Sequence, residues 1–181
     1  MTTTVLVGNP RPHSRTATAG LAVARHAARA AGLPERADLL ELAGLQPLLL
    51  TPGPPLDVAA ALEQVRAAEL LVVASPTYKA TYTGLLKVFL DLLPPGGLAG
   101  VTAVPVLVMA SPAHTLAVEV HLRPLLLELG ATVPAAGVAL LQDTVPAGGP
   151  DVPAPLLDEV LAPWAGAAAP ALRATARATA S

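Results

Sequence analysis

The chain has 181 residues, no cysteine, one Trp, two Tyr and one Phe, and only 13% charged residues. The missing cysteine excludes a disulfide scaffold, a thiolate zinc site and a cysteine nucleophile. Eleven Lys and Arg stand against 13 Asp and Glu, for a net charge of -2. The clustered cations that bind nucleic acid or a polybasic-seeking membrane surface are therefore not expected. Long apolar runs are also lacking, although mean hydropathy is +0.58. The uncharged stretch from Gly96 to Val118 is broken by Pro105, Pro112 and several glycines, and it contains His114. A spanning helix needs about 20 continuous apolar residues. The apolar bursts read instead as buried strands. What is abundant is hydrophobic content, at 53%. That excludes disorder for most of the chain and suffices for a sizeable core. The opening Met1-Thr-Thr-Thr-Val-Leu-Val has no basic n-region and enters a strand directly. The expectation is a cytoplasmic chain without a signal peptide.

Strand and helix signals alternate. Val5-Leu-Val leads into Gly8-Asn-Pro-Arg-Pro-His-Ser-Arg-Thr16, and a helix follows from about Thr16 to Ala31, stopped by Gly32 and Pro34. Asp38-Leu-Leu-Glu-Leu reads as a second strand, Gln46 to Pro55 as a loop, and Asp57 as the cap of a second helix. Leu70-Leu-Val-Val-Ala is an uninterrupted apolar strand, of the kind covered on both faces. A helix is expected over Thr83 to Leu93, a strand over Val104 to Met109, a helix ending at Leu129-Gly130, and a strand over Ala135 to Leu141. A last helix spans about Leu156 to Trp164, where Trp164 docks it; Pro170 interrupts it, and the tail after about 170 frays. One domain over residues 1–181 is expected. Five such units imply an α/β three-layer sandwich around a parallel sheet. The short chain favours the flavodoxin-like strand order 2-1-3-4-5, with a ligand beyond the carboxyl ends of strands 1 and 3.

The chemistry-bearing residues fall at those ends. Asn9, Arg11, Ser14, Arg15 and Thr16 gather hydroxyl, amide and guanidinium groups at a helix start. Unpaired N–H groups and the helix dipole add to them, which makes a phosphate cup. The alternative is an ordinary cap by Ser14 or Thr16 beside two solvated arginines. Neither a Walker loop nor Gly-x-Gly-x-x-Gly is present. After the third strand, Ser75-Pro76-Thr77-Tyr78-Lys79-Ala80-Thr81-Tyr82 holds both tyrosines of the chain beside a lysine. Flat faces with polar tips suit an aromatic ring ligand. Ser111 and His114 open the segment after the fourth strand; His114 either bonds a ligand or faces water, and His121 reads as a surface residue. Lys87 and Asp91 read as a solvated i, i+4 ion pair. No metal-ligand spacing is present.

These motifs resemble the NAD(P)H-dependent FMN reductases of flavodoxin-like fold, and among them the reductase components of two-component alkanesulfonate monooxygenases. Residues 8–16 are similar to that family's Gly-Ser-Pro-Arg-x-x-Ser-Arg-Thr loop, which holds the FMN phosphate, with Asn9 in place of the usual Ser. Ser75 to Lys87 is similar to the signature that lines the isoalloxazine ring, and the run after His114 to the segment following the fourth strand. Some members carry a Tyr inside a π-bulge of the fourth helix; this chain has Val120-His121 there. The resemblance implies FMN and NADPH or NADH as cofactors. It places Asn9, Arg11, Ser14, Arg15 and Thr16 at the phosphate and Pro76, Thr77, Tyr78, Lys79 and Tyr82 at the ring, and it makes Ser111 and His114 cofactor-binding residues as well. It further implies hydride transfer to flavin without a side-chain acid, base or nucleophile. Reduced FMN would pass to a partner monooxygenase, and the chain would form a homodimer or homotetramer. Two other readings stay open. One is a reductase that keeps FMN bound and reduces a quinone or azo compound. The other is an electron carrier or binding module without NAD(P)H activity.

Overall fold

The computed structural model describes residues 2–149 and 152–179. Five parallel strands, β1 (Thr3–Val7), β2 (Ala37–Glu41), β3 (Leu70–Pro76), β4 (Thr102–Met109) and β5 (Val138–Leu141), form one sheet in the order 2-1-3-4-5. β1, β3 and β4 are buried along their whole length, as their apolar runs require. Alternation along the strands builds two cores. Val5, Val7, Leu70, Val72 and Val106 face α1 (Arg15–Ala31) and α5 (Pro155–Thr179). Leu6, Leu71, Val73 and Leu107 face α2 (Leu56–Arg66), α3 (Gly84–Leu90) and α4 (Arg123–Glu128).

Several boundaries differ from the expectation. The second helix is not capped by Asp57: Pro55 holds the cap position, and Asp57 lies in the first turn, where the dipole favours a carboxylate. The third helix is shorter, from Gly84 to Leu90: Thr83 accepts Leu86 N–H as its cap, and after Leu90 the chain tightens into turns in which Leu92 and Leu93 N–H reach Phe89 O and Leu90 O. α5 runs through Pro163 and Pro170 to Thr179. Beyond residue 170 it is docked through at least Arg173: Leu172 is buried, and Arg173 Nε donates to Ala30 O at 2.9 Å. Burial of one face therefore outweighs the prolines. Trp164 Nε1 donates to Ala136 O at 2.8 Å. Asp158 joins α5 to α1 by accepting from Arg25 and from His26 Nε2 at 3.0 Å. The His26 hydrogen bond, with Arg25 adding to it, holds the Asp158 carboxyl below its usual range.

The segment after β4 contains a π-helical turn, Val118–Leu122, in which Arg123 N–H reaches Val118 O five residues back. Pro124 follows and has no N–H to offer Val120 O, so a wider turn loses less there than in a regular helix. The turn forms without a tyrosine, and Val120 and His121 are exposed. A clamp fixes it to the segment that leads into β5. Glu119 pairs with Arg123, and Arg123 also donates to Val133 O at 2.8 Å and to Ala135 O. Gly137 N–H donates to Glu119 Oε1 at 2.6 Å. A Cβ on Gly137 would lie 2.6 Å from Val118 Cγ2, so only glycine permits this approach.

Candidate functional site

A buried joint sits beneath the site. Gly8 N–H donates to Ala74 O at 2.8 Å. Thr83 Oγ1 donates to Gly8 O at 2.6 Å and accepts from Leu86 N–H at 3.2 Å. Ser75 Oγ accepts from Thr83 N–H at 3.0 Å and donates to Pro76 O at 2.9 Å. One hydroxyl pair thus ties the ends of β1 and β3 to the start of α3, so the two loops that follow hold a fixed spacing.

The first loop wraps the N-terminus of α1. Ser14 is the N-cap, its Oγ accepting from Ala17 N–H at 3.3 Å. Asn9 spans the loop: Oδ1 accepts from Arg11 N–H at 2.9 Å, and Nδ2 donates to Thr16 Oγ1 at 3.0 Å. His13 takes a left-handed φ of 51°, and its N–H donates to Glu41 Oε1 at 2.9 Å. Gln46 Nε2 donates to Pro10 O at 2.8 Å, so the end of β2 and the turn after it brace the outside of the loop. Arg15 Nε donates to Val145 O at 3.1 Å, while the residue is otherwise exposed. The capping role is thus realised by Ser14, and Arg11 and Arg15 stand beside the same helix start.

The second loop is a two-residue hairpin. Tyr78 and Thr81 bond each other through N–H to O distances of 2.9 and 3.3 Å, and Lys79 and Ala80 at the tip have φ of 52° and 67°. That is the geometry of a type I′ turn, adopted here without glycine. Thr77 N–H donates to Val108 O at 2.8 Å, which seats the loop on β4.

Asn9, Arg11, Ser14, Arg15, Thr16, Pro76, Thr77 and Tyr78 line one cavity of about 490 Å³. Pro12, His13, Val108, Ala110 and Gln142 complete it. Lys79, Tyr82, Ser111 and His114 do not line it. Lys79 is exposed at the hairpin tip, Tyr82 packs against the core beside α3, and Ser111 Oγ accepts from Ala113 N–H at 3.3 Å. His114 Nδ1 is buried and has no partner among the described residues. Gln142 carried no signal in the sequence, because only the strand order brings the end of β5 toward the site. Val108 and Ala110 read simply as strand.

The lining fits a phosphorylated heterocycle. The cup supplies cations and helix N–H groups, as a phosphate needs. Thr77 lines the cavity, and its Oγ1 is buried without a partner among the described residues, free to bond a polar ligand atom. Tyr78, 47% exposed, offers a flat face at the rim.

A five-stranded parallel sheet in this order, with a cavity at its switch point, defines a flavodoxin-like domain. The chain belongs to the NADPH-dependent FMN reductase family, whose model matches residues 1–144. It is 46% identical over 69 residues to an FMN reductase (NADPH) of Escherichia coli K12, covering 38% of this chain and 36% of that protein. It is 41% identical over 69 residues to the NADH-dependent FMN reductase SfnF of Pseudomonas putida, covering 38% and 37%. The matches thus span little more than a third of these curated relatives. An NADH:FMN oxidoreductase solved in its apo form superposes with a TM-score of 0.74 at 26% identity, covering 98% of this chain and 89% of that one. Among the described residues, no helix is long and apolar enough to cross a membrane, and no His, Cys, Asp or Glu group could hold a metal ion.

Proposed function

We propose that this chain is a cytoplasmic NAD(P)H-dependent FMN reductase that hands reduced flavin to a monooxygenase. The observation that carries this reading is that the cup and the hairpin close on one cavity over the switch point. Arg11, Arg15, Thr16 and the α1 N-terminus hold the phosphate. Pro76, Thr77 and Tyr78 hold the ring edge, and Lys79 brings a positive charge to the rim. FMN bound there supplies the hydride acceptor for NAD(P)H. The chain needs no acid, base or nucleophile of its own, and the cavity lining offers no carboxylate.

Release of product is built into the same cavity. Tyr78 is the one Phe, Tyr or Trp residue lining it, so no pair of these side chains is there to sandwich the ring. An affinity near micromolar, about -8 kcal/mol, allows exchange during turnover. NADPH and NADH oxidation, each measured with and without added FMN, tests this. We expect the protein to lose flavin on dilution and oxidation to rise with added FMN to saturation. Flavin retained through dialysis, with a quinone reduced in the absence of added FMN, would instead support a flavin-retaining acceptor reductase. No oxidation with FMN present would leave a carrier or binding module.

The chain self-associates in this reading. α3 turns Leu86, Phe89 and Leu90 into the core, so less of it is free than its sequence suggests. The segment after β4 instead exposes Leu116, Val120 and Leu127, an apolar stripe along one side that a second copy would cover. Light scattering at micromolar concentration should show a dimer or tetramer, and Val120→Glu should shift it toward monomer. A monomeric wild-type protein would contradict this.

A further inference from the structure

We infer that Asn9 sets the direction of the Thr16 hydroxyl, and so turns a helix-capping region into a donor aimed at a phosphate oxygen. The inference rests on the FMN reductase reading and names how its phosphate site is polarised. The chain of constraints begins at the backbone. Arg11 N–H, 2.9 Å from Asn9 Oδ1, can be met only by the amide oxygen, which fixes which way the Asn9 amide faces. The amide nitrogen therefore points to Thr16 Oγ1, at 3.0 Å. Nitrogen of an amide only donates, so the Thr16 oxygen must accept, and the Thr16 proton has to find an acceptor elsewhere. Thr16 is 1% exposed and, among the described residues, its proton is given no acceptor in the protein. Thr16 is one of the residues lining the cavity, beside Arg11, Ser14 and Arg15.

A buried donor with no acceptor calls for an acceptor from the ligand, and a charged oxygen accepts most strongly. The terminal phosphate of FMN supplies one. The hydroxyl that ends riboflavin donates as well as accepts, and it brings no charge to the two arginines. Asn9 is thus a positioning residue. It acts on the ligand through Thr16 and contributes to the preference for FMN over riboflavin.

Asn9→Asp keeps the shape and reverses the polarity. One carboxylate oxygen still accepts Arg11 N–H, while the other now takes the Thr16 proton. FMN and riboflavin affinities are to be measured by flavin fluorescence for Asn9→Asp, Thr16→Val and the double variant, with thermal unfolding to establish that each folds. In the wild-type background Thr16→Val should weaken FMN about tenfold. In the Asn9→Asp background it should cost less than about twofold, because the proton is already taken. Arg15→Ala serves as the control: its cost should be nearly the same in both backgrounds. Riboflavin affinity should stay near wild type throughout. If Asn9→Asp does not fold, the same pairing in Asn9→Ala should give an intermediate Thr16→Val cost of about threefold, since the hydroxyl then rotates freely. An equal Thr16→Val cost in every background overturns the inference alone, as does an Arg15→Ala cost that shrinks in parallel, which would mean that Asn9 merely holds the loop together. If wild-type protein fails to prefer FMN to riboflavin, the reductase reading falls and the inference with it.

Discussion

Gly8→Ala is expected to lower stability by about 2–3 kcal/mol and to weaken FMN binding at least about tenfold. A Cβ at this position would sit 2.6 Å from Leu86 Cβ, with Leu86 Cγ and Cδ1 at 3.2 and 3.3 Å. The nearest atom is not the free end of a flexible chain, so the backbone must move. The same residue carries the joint: its N–H bonds Ala74 O and its carbonyl accepts the Thr83 hydroxyl. A shift therefore reaches both loops of the cavity together. Gly84→Ala is the matched control. Nothing lies within 4 Å of a Cβ there, and alanine is the better helix former. It should be neutral or stabilising by up to about 1 kcal/mol. Thermal unfolding and flavin titration of the pair check this; equal behaviour of the two variants would remove Gly8 from the account.

The second large effect is expected at the clamp on the π-helical turn. Arg123→Leu leaves Val133 O and Ala135 O without their donor and Glu119 with only Gly137 N–H. Breaking a fully buried pair costs about 3–5 kcal/mol. Here the side chains of Arg123 and Glu119 are 22% and 36% exposed, so about 2 kcal/mol is expected after solvent screening. The pH dependence follows from Glu119, whose carboxyl is held below its ordinary value first by Arg123 and also by Gly137 N–H, against the opposing effect of burial. A lowered folded pKa means that this stability is present above the unfolded carboxylate range, about 4.3, and is lost as pH falls through the folded value. The gap between wild type and Arg123→Leu in denaturant titrations should therefore be widest at neutral pH and narrow below about pH 4. A gap independent of pH would show that Glu119 is not its origin.

Much of the site was legible because its signals are local. Ser14, Arg15 and Thr16 announce a helix start, and Tyr78 with Tyr82 stand out in a chain so poor in aromatic residues. The parallel sheet followed from five apolar runs separated by helical segments, and its strand order from the shortness of the chain. The rest depends on distance through space. Glu41, Gln46 and Gln142 reach the loop after β1 from the ends of β2 and β5, and no residue pattern near them marks which side chains turn toward it. Tyr82 was misleading for the opposite reason. Its place beside Tyr78 in sequence suggested the ring site, but the hairpin turns it toward the core beside α3. The length of α5 was also hidden, since Pro163 and Pro170 read as breakers while the burial of Leu161, Ala168 and Leu172 keeps the helix continuous.

The central claim is that the loop after β1 binds the phosphate of FMN. Its most direct measurement is the affinity of FMN relative to riboflavin, by fluorescence quenching, in wild-type protein and in Arg15→Ala. Removing one charge-assisted contact to a phosphate should cost about 1.5–3 kcal/mol, or roughly ten- to a hundredfold in affinity. Wild type should bind FMN more tightly than riboflavin by at least that factor, and Arg15→Ala should lose most of the difference while binding riboflavin unchanged. Equal affinity for the two flavins in wild type, or an Arg15→Ala variant that keeps the full preference, would contradict the account.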